Sequence, residues 1–393
     1  MSKGIRDFSG ARLEEARTAR GLTQTSLAQL LGRDSSTVSA WETGRQRPDW
    51  DAVQQVATAL AVRPALLLRD LGQAQSSYFY RSTASVTLAL QKKARARLRW
   101  AEALTDELLE WIDFPDLDLP NLDVPPFASI TDEFIEATAI ECRTHWSLGF
   151  GPVPDVIGVL ENAGAVVVKE ELGGVKMDGV SVWSGEDHCR PFVLLSEDKA
   201  SAVRSRFDAA HELGHLVLHK AVDSEALKPA EHQELERQAH RFAAAFLLPA
   251  EGFVRDVDRL DLDHFVALKP KWRTSIAAML MRCSQLEWIS DAYKERCFKY
   301  LSARGWRRAE PLDDSISAEK PTALSAAIKL LIEAGKYTRG DLCDRVGLEP
   351  GDIESISGLP RGYLTREAAP VVRLRDFGSS SEHDKVVQLS PRK

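Results

Sequence analysis

The sequence predicts a multidomain, mostly α-helical protein in which an all-α N-terminal domain is followed by an α+β domain and a helical C-terminal region. Apolar residues recur at helical spacing near both ends, and short β-branched runs are confined to the middle of the chain. A chain of 393 residues has room for two or three domains. The predicted parts are the N-terminal domain over 8–70, a helical and proline-rich linker over 71–130, the α+β domain over 131–260, the helical C-terminal region over 261–375 and a disordered tail over 376–393.

The segment from Ala11 to Leu68 carries the signals of five short helices. Thr23 is placed as an N-cap, and Gly32 permits a sharp turn between the second and third helices. Val38 and Trp41 would face the core of the third helix, which Gly44 would end.

These residues resemble the XRE-type, phage-repressor helix-turn-helix, in the stretches Gly21-Leu22-Thr23-Gln24 and Ser36-Thr37-Val38-Ser39-Ala40-Trp41-Glu42-x-Gly44-x-x-x-Pro48. The resemblance implies a double-stranded DNA operator as partner, and a homodimer in which each recognition helix reads one half-site. It places Gln24 at a phosphate, and Ser35, Ser36 and Ser39 at the exposed front of the recognition helix. Arg33, Arg45 and Arg47 are placed to neutralise phosphates. A plain helical bundle without DNA contact is the alternative.

A long helix is predicted from about Ser85 to Trp111, and its basic run spans Lys92 to Arg99. We interpret this run as a solvated face, and the alternative is an auxiliary contact with the DNA backbone. The segment from Phe114 to Pro126 contains several prolines, which predicts a stiff, extended connector.

The pentapeptide His211-Glu212-Leu213-Gly214-His215 is the strongest chemical signal in the sequence. Two histidines four apart on a helix point to the same side, so both imidazoles can face one metal ion. Glu212 lies about 100° round the helix, where its carboxylate reaches a metal-bound water and not the metal. This H-E-x-x-H pattern is typical of zinc metallopeptidases.

Glu236 is the predicted third ligand. It lies on the apolar side of a second helix, in register with Ala239 and Ala243, and a carboxylate aimed at a core needs a partner such as zinc. The alternative is a solvated glutamate. The extended H-E-x-x-H-x-x-G-x-x-H pattern is excluded because Leu218 and Ala221 stand at its last two fixed positions. Three further histidines are expected outside the ligand set, as outer or packing groups, and they are His219, His232 and His240.

The stretch from Arg206 to His219, followed by Glu236-x-x-Ala239-x-x-Phe242-Ala243 and Leu247-Leu248-Pro249, resembles the ImmA/IrrE metallopeptidases. These are bacterial and phage-associated proteins that cleave or otherwise inactivate a repressor, and the resemblance covers roughly 133–321. It implies an α+β, zincin-like domain with Zn²⁺ held by His211, His215 and Glu236, and Glu212 as the general base. The family usually has asparagine where this chain has His240.

Short strands are predicted at 166–170, 180–183 and 192–195, and helices at 132–146 and 153–162. The C-terminal region is predicted to be helical over 268–286 and 323–334, with short helices between 341 and 364. A second helix-turn-helix in that last stretch is not favoured, because its turn signals are poor.

Composition limits the partners. A net charge of −7 and a pI near 5.8 are not typical of a general nucleic-acid coating protein, so DNA binding has to be local to a patch. The sequence contains no apolar run long enough to span a membrane and no signal-peptide pattern, so we expect a cytoplasmic protein. The five scattered cysteines form no C-x-x-C pair and are expected to be reduced.

Together these features predict a DNA-binding transcriptional regulator with a zinc-dependent metallopeptidase domain, whose substrate is a repressor-type protein. The alternative is a non-proteolytic regulator or antitoxin that uses the peptidase-like domain as a sensor. An intact Glu212 argues against that alternative, because a purely structural zinc site has no need of a base.

Overall fold

The computed structural model describes residues 4–70, 78–82, 87–173, 177–184, 190–198 and 201–365. The predicted tail over 376–393 and Cys189 lie outside the described residues. The other four cysteines, Cys142, Cys283, Cys297 and Cys343, are free and buried.

The N-terminal domain has the predicted helices. They are α1 (Gly10–Ala19), α2 (Gln24–Leu31), α3 (Ser35–Glu42), α4 (Trp50–Leu60) and a 3₁₀ turn (Pro64–Leu68). The Thr23 hydroxyl accepts a hydrogen bond from the amide of Ser26 at 3.0 Å and caps α2. Gly32 ends α2 with φ of 62°, a conformation that glycine adopts without strain. Arg17 joins α1 to α3 by an ion pair with Glu42, with 2.6 Å between Nε and Oε1.

A four-stranded sheet forms the middle layer, with the order β1-β3-β4-β2. Its strands are β1 (Tyr78–Ser82), β2 (Val166–Glu170), β3 (Met177–Ser184) and β4 (Arg190–Ser196). β2 runs parallel to β4, and the other two pairs are antiparallel. Sequence analysis predicted β2, β3 and β4 but not β1, which lies in the segment expected to be a linker.

Helices surround this sheet on both faces. They are α5 (Leu88–Leu109), α6 (Asp132–His145), α7 (Val156–Asn162), α8 (Ala202–Leu218), α9 (Pro229–Leu247), α10 (Ala250–Phe253), α11 (Leu262–Trp272), α12 (Ile276–Gln285), α13 (Asp291–Ala303), α14 (Ala323–Glu333), α15 (Arg339–Val346) and α16 (Pro350–Ser357). The helical stretch expected over 268–286 is two helices, because Arg273 adopts φ of 51° and Ser275 caps α12. Among the described residues, no helix is both long and apolar enough to cross a membrane.

Two hydrophobic cores lie on opposite faces of the sheet, because successive strand residues point to opposite sides. Val166 and Val168 of β2 join a core that also contains the helix-turn-helix domain, α5 and α14–α16. Val167, between them, joins the core that contains α6, α8, α9 and α11–α13.

The connector between α5 and α6 is held against the second core. Leu119, Leu122 and Val124 pack on that core, and the amide of Asp118 donates to the carbonyl of Ala163 at 3.1 Å. The indole of Trp146 donates to the carbonyl of Asp118 at 2.9 Å. The proline-rich segment is therefore fixed to the body of the protein by side-chain packing and hydrogen bonds.

The interpretation of the basic run of α5 as a solvated face is wrong for its central residue. Arg97 is only 7% exposed, and its guanidinium bonds Glu170 of β2, with 2.8 Å from Nε to Oε2. The same group lies 2.7 Å from Oδ1 of Asp352 in α16. These pairs also rule out a DNA contact for Arg97, because its charge is used inside the protein. Lys92, at the start of the run, is half exposed and lies 3.5 Å from Glu14.

Arg20 at the end of α1 completes this buried network. Its Nη2 lies 2.6 Å from Oδ2 of Asp352, and its Nε donates to the carbonyl of Leu60 at 2.7 Å. The guanidiniums of Arg20 and Arg97 both stack on the Trp100 ring, at 5.2 and 4.9 Å from its centroid. Burial raises the pKa of Asp352, but hydrogen bonds and charges from Arg20 and Arg97 outweigh it and leave that pKa below its ordinary value.

We predict that Arg97→Met destabilises the protein strongly. Removing one partner of a buried ion pair leaves an uncompensated charge and costs about 3–5 kcal/mol. The midpoint of urea denaturation, followed by circular dichroism, should fall accordingly. Lys92→Ala is the matched control on the same helix, and it should change stability by less than about 0.5 kcal/mol. Equal midpoints for the two variants would show that the Arg97 network does not stabilise the fold.

Candidate metal centre and DNA-binding surface

The close approach of α8 and α9 creates the candidate metal centre. A Cβ atom at Gly214 would lie 3.0 Å from Cδ1 of Phe242 and 3.3 Å from Cα of Ala239, so a larger residue would require the facing atoms of α9 to shift. Sequence analysis did not assign a role to Gly214. The available signal was its position within the histidine motif, one turn from the apolar residues Ala210 and Leu218.

His211, His215 and Glu236 meet between the two helices. The Nε2 atoms of the histidines are 3.0 Å apart, and each lies 3.4 Å from one carboxylate oxygen of Glu236. All three possible ligand atoms lie within 4.8 Å of one another. A tetrahedral zinc ion with bonds near 2.0–2.2 Å needs donors about 3.3–3.6 Å apart. The donor set and its spacing therefore fit zinc, with little movement required.

A chain of hydrogen bonds fixes the orientation of His215. Its Nδ1 lies 3.0 Å from Nδ1 of His219, and Nε2 of His219 lies 2.9 Å from Oε1 of Gln238. The Gln238 amide nitrogen donates to Glu234 at 3.1 Å, which leaves its oxygen to accept from His219. Burial, with the neighbouring His215, lowers the pKa of His219 to about 3, so this imidazole is neutral at neutral pH.

The consequence is a defined tautomer for His215. His219 donates from Nε2 to Gln238, so its Nδ1 accepts from Nδ1–H of His215. Nε2 of His215 then carries a lone pair and faces His211 and Glu236. Metal-binding histidines commonly have such a partner on the other ring nitrogen. Sequence analysis missed Gln238, whose signal was a polar residue directly before Ala239 of the apolar stripe.

The other two histidines lie at the surface. His232 is exposed in the first part of α9. His240 is also exposed, and its ring stacks edge-on against that of His211 at 4.7 Å between centroids. Within the described part of the chain, the cluster with metal-ligand spacing comprises His211, His215 and Glu236, without His219, His232 or His240.

Glu212 is fully buried and faces the sheet. Its carboxylate lies against Gly179 of β3, where a Cβ atom would stand 2.6 Å from Oε1 of Glu212. Any side chain at position 179 would displace this carboxylate. Glycine at this point of β3 therefore makes room for Glu212 beside the strand, a requirement that local sequence could not reveal.

Most of the predicted DNA-contacting residues are exposed. Arg33, Ser35, Ser36, Arg45 and Arg47 are exposed, and Ser39 is half-buried in α3. The Gln24 amide donates to Oε2 of Glu42 at 2.7 Å, so the ion pair of Glu42 with Arg17 also holds the start of α2. The Arg33 guanidinium stacks on Trp41 at 5.2 Å, and Nε of Arg45 donates to the Thr43 hydroxyl at 3.0 Å.

Two regions of the chain match known protein families. Residues 10–69 match a helix-turn-helix domain, and residues 160–284 match the IrrE N-terminal-like domain, a peptidase family. No curated protein matches the chain. The chain therefore carries a helix-turn-helix DNA-binding domain fused to an ImmA/IrrE metallopeptidase-type domain.

Proposed function

We propose that this protein is a DNA-binding transcriptional regulator whose IrrE-like domain is a zinc-dependent peptidase acting on a repressor-type protein. The observation that carries the proposal is the convergence of His211, His215 and Glu236 at zinc-ligand spacing, with the buried carboxylate of Glu212 on the same helix. A site for structural zinc would be satisfied by four protein ligands. Among the described residues, three protein donors come together, which is the number found in catalytic zinc sites.

His211, His215 and Glu236 would hold the zinc ion. When bound, zinc lowers the pKa of water towards neutrality and polarises a peptide carbonyl. Glu212 accepts the proton of the attacking water and passes it to the leaving amine. Its place against the backbone of β3 keeps the carboxylate out of bulk solvent, which raises the value of each charge interaction.

The helix-turn-helix domain would bind a double-stranded operator as a homodimer, because each recognition helix reads one half-site. The exposed position of Arg33, Arg45 and Arg47 supports contacts with phosphates. Short hydroxyl groups at Ser35, Ser36 and Ser39 make few bidentate base contacts. Shape and phosphate contacts would then carry much of the affinity.

Metal analysis tests the ligand set. His211→Ala, His215→Ala and Glu236→Ala should each lose most of the bound zinc, whereas Glu212→Gln should keep it. Gln238→Ala should lower zinc affinity about 10–100-fold, because it removes the partner that fixes His219 and through it His215. His232→Ala, an exposed histidine on the same helix as Glu236, is the matched control. Full zinc occupancy in Glu236→Ala would remove Glu236 from the ligand set.

Proteolysis is tested by incubating zinc-loaded protein with candidate repressors encoded near its gene and analysing the products by mass spectrometry. Loss of a general base costs roughly 10²–10⁴-fold in rate, so Glu212→Gln should bind zinc yet cleave at least about 100-fold more slowly. Cleavage at the wild-type rate by Glu212→Gln would exclude this residue as the base. Absence of any cleavage, with intact DNA binding, would favour the sensor alternative.

DNA binding is tested with the full chain over a series of salt concentrations. Replacing Arg33, Arg45 and Arg47 with alanine should weaken binding and flatten the log–log salt dependence, by about 0.9 for each phosphate that is no longer neutralised. Arg259→Ala is the control, because Arg259 is exposed in the region after α10. A salt slope that is unchanged in the triple variant would place the phosphate-binding residues elsewhere.

A further inference from the structure

Strand β1 lies at the edge of the sheet directly beside the general base. In the antiparallel pairing of β1 with β3, Arg81 is opposite Gly179 and Tyr80 is opposite Val180. Gly179 is the residue at which an added Cβ atom would collide with the carboxylate of Glu212. β1 also contacts α8 itself and the short turn Ser224–Ala226 that follows it. The backbone of this segment therefore runs past the candidate metal centre.

Without β1, the strand β3 would be the edge of the sheet, since the strand order is β1-β3-β4-β2. An edge strand presents backbone N–H and C=O groups that pair readily with another extended chain. A peptide added to β3 would lie about 4.8 Å from it, in the position that β1 holds. The peptide bonds of that added chain would pass close to Gly179 and therefore to the carboxylate of Glu212, the proposed general base.

The pairing of β1 with β3 is irregular at this point. Arg81 is opposite Gly179, but the next residue, Ser82, is opposite Met177, so Asp178 is an extra residue on β3. A bulge leaves the extra residue out of the ladder and weakens the pairing locally. The pairing extends over residues 78–82 of β1, which is a short strand held on one side by backbone hydrogen bonds. Such a strand can be displaced at modest cost.

We propose that β1 occupies the peptide-binding position of the metal centre, and that a polypeptide substrate binds as an extended segment antiparallel to β3 after displacing β1. The inference rests on the proposed function, because it assigns the substrate position of that same site. The ligand class is an unfolded or extended polypeptide, which is recognised through its backbone. The β1 segment is then an internal competitor, and the availability of the site depends on how often β1 leaves β3.

Substitutions at Tyr80 test the proposal in the Glu212→Gln background, where a bound peptide is not consumed. Tyr80→Pro removes a backbone N–H and is poorly tolerated in a paired strand, Tyr80→Gly weakens the strand, and Tyr80→Val preserves β propensity as the control. The probe is a fluorescein-labelled peptide with the sequence of residues 76–84, and binding is followed by fluorescence anisotropy.

The Tyr80→Pro protein should bind this peptide about tenfold more tightly than the Tyr80→Val protein, because apparent affinity rises with the fraction of molecules whose site is open. Tyr80→Gly should lie between them. A peptide in which its own central tyrosine is replaced by proline should not bind, since it cannot pair with β3. Equal affinities for all variants, with folding verified by circular dichroism, would overturn the proposal.

Cleavage of labelled casein by the zinc-loaded protein, with Glu212 intact, separates this inference from the proposed function. Tyr80→Pro should cleave about tenfold faster than Tyr80→Val. Gain of peptide binding without cleavage by any variant would leave the peptide site in place and reject the peptidase function. Equal cleavage rates for all variants would keep the peptidase function and reject β1 as the occupant of the site.

Discussion

The architecture depends on the buried charges around Arg97. This one guanidinium pairs with Glu170 of the sheet and Asp352 of α16, and it shares Asp352 and the Trp100 ring with Arg20 of α1. Buried charges are tolerated only when they are paired, so each group requires the others to be in place. The helix-turn-helix domain, the sheet and the C-terminal helices are therefore joined through α5 in a single core, and the N-terminal domain is not a loosely tethered module.

The sheet has the helix-turn-helix domain on one face and the candidate metal centre on the other. Val180 and Val182 of β3 point into the core shared with the helix-turn-helix domain, whereas Trp183 and Gly179 face the side of α8. A change in the pairing of β3 would alter the packing of both cores, because alternate residues of this strand belong to each core. The two domains are therefore joined by packing as well as by the chain, because β3 contributes residues to the core of each.

Patterns of neighbouring residues predicted those helices and turns whose formation depends on residues close together in the sequence. Helix periodicity and the i, i+4 spacing predicted α8 and its histidines, and caps and turn residues predicted the helix-turn-helix. The features that the sequence did not reveal depend on partners far along the chain. Arg97 was assigned to solvent because its partner Asp352 is 255 residues away, and β1 was missed because its pairing with β3 is a tertiary contact. The break at Arg273 was missed because a positive φ at a non-glycine residue has no simple sequence signal.

The candidate metal centre is organised by contacts within the protein itself. His211 and His215 are fully buried, and the His219–Gln238–Glu234 chain fixes the tautomer of His215 from behind. Of the three residues that could hold a metal ion, Glu236 alone has a partly exposed side chain, at 25%, so solvent reaches the candidate centre on the side of Glu236. Rigid donors at the back and an accessible donor at the front suit a catalytic zinc site, which has to hold its metal tightly and still admit water and a substrate. The buried hydrogen-bond chain would then determine the affinity for zinc. The groups that cover the side of Glu236 would determine the access of water and substrate.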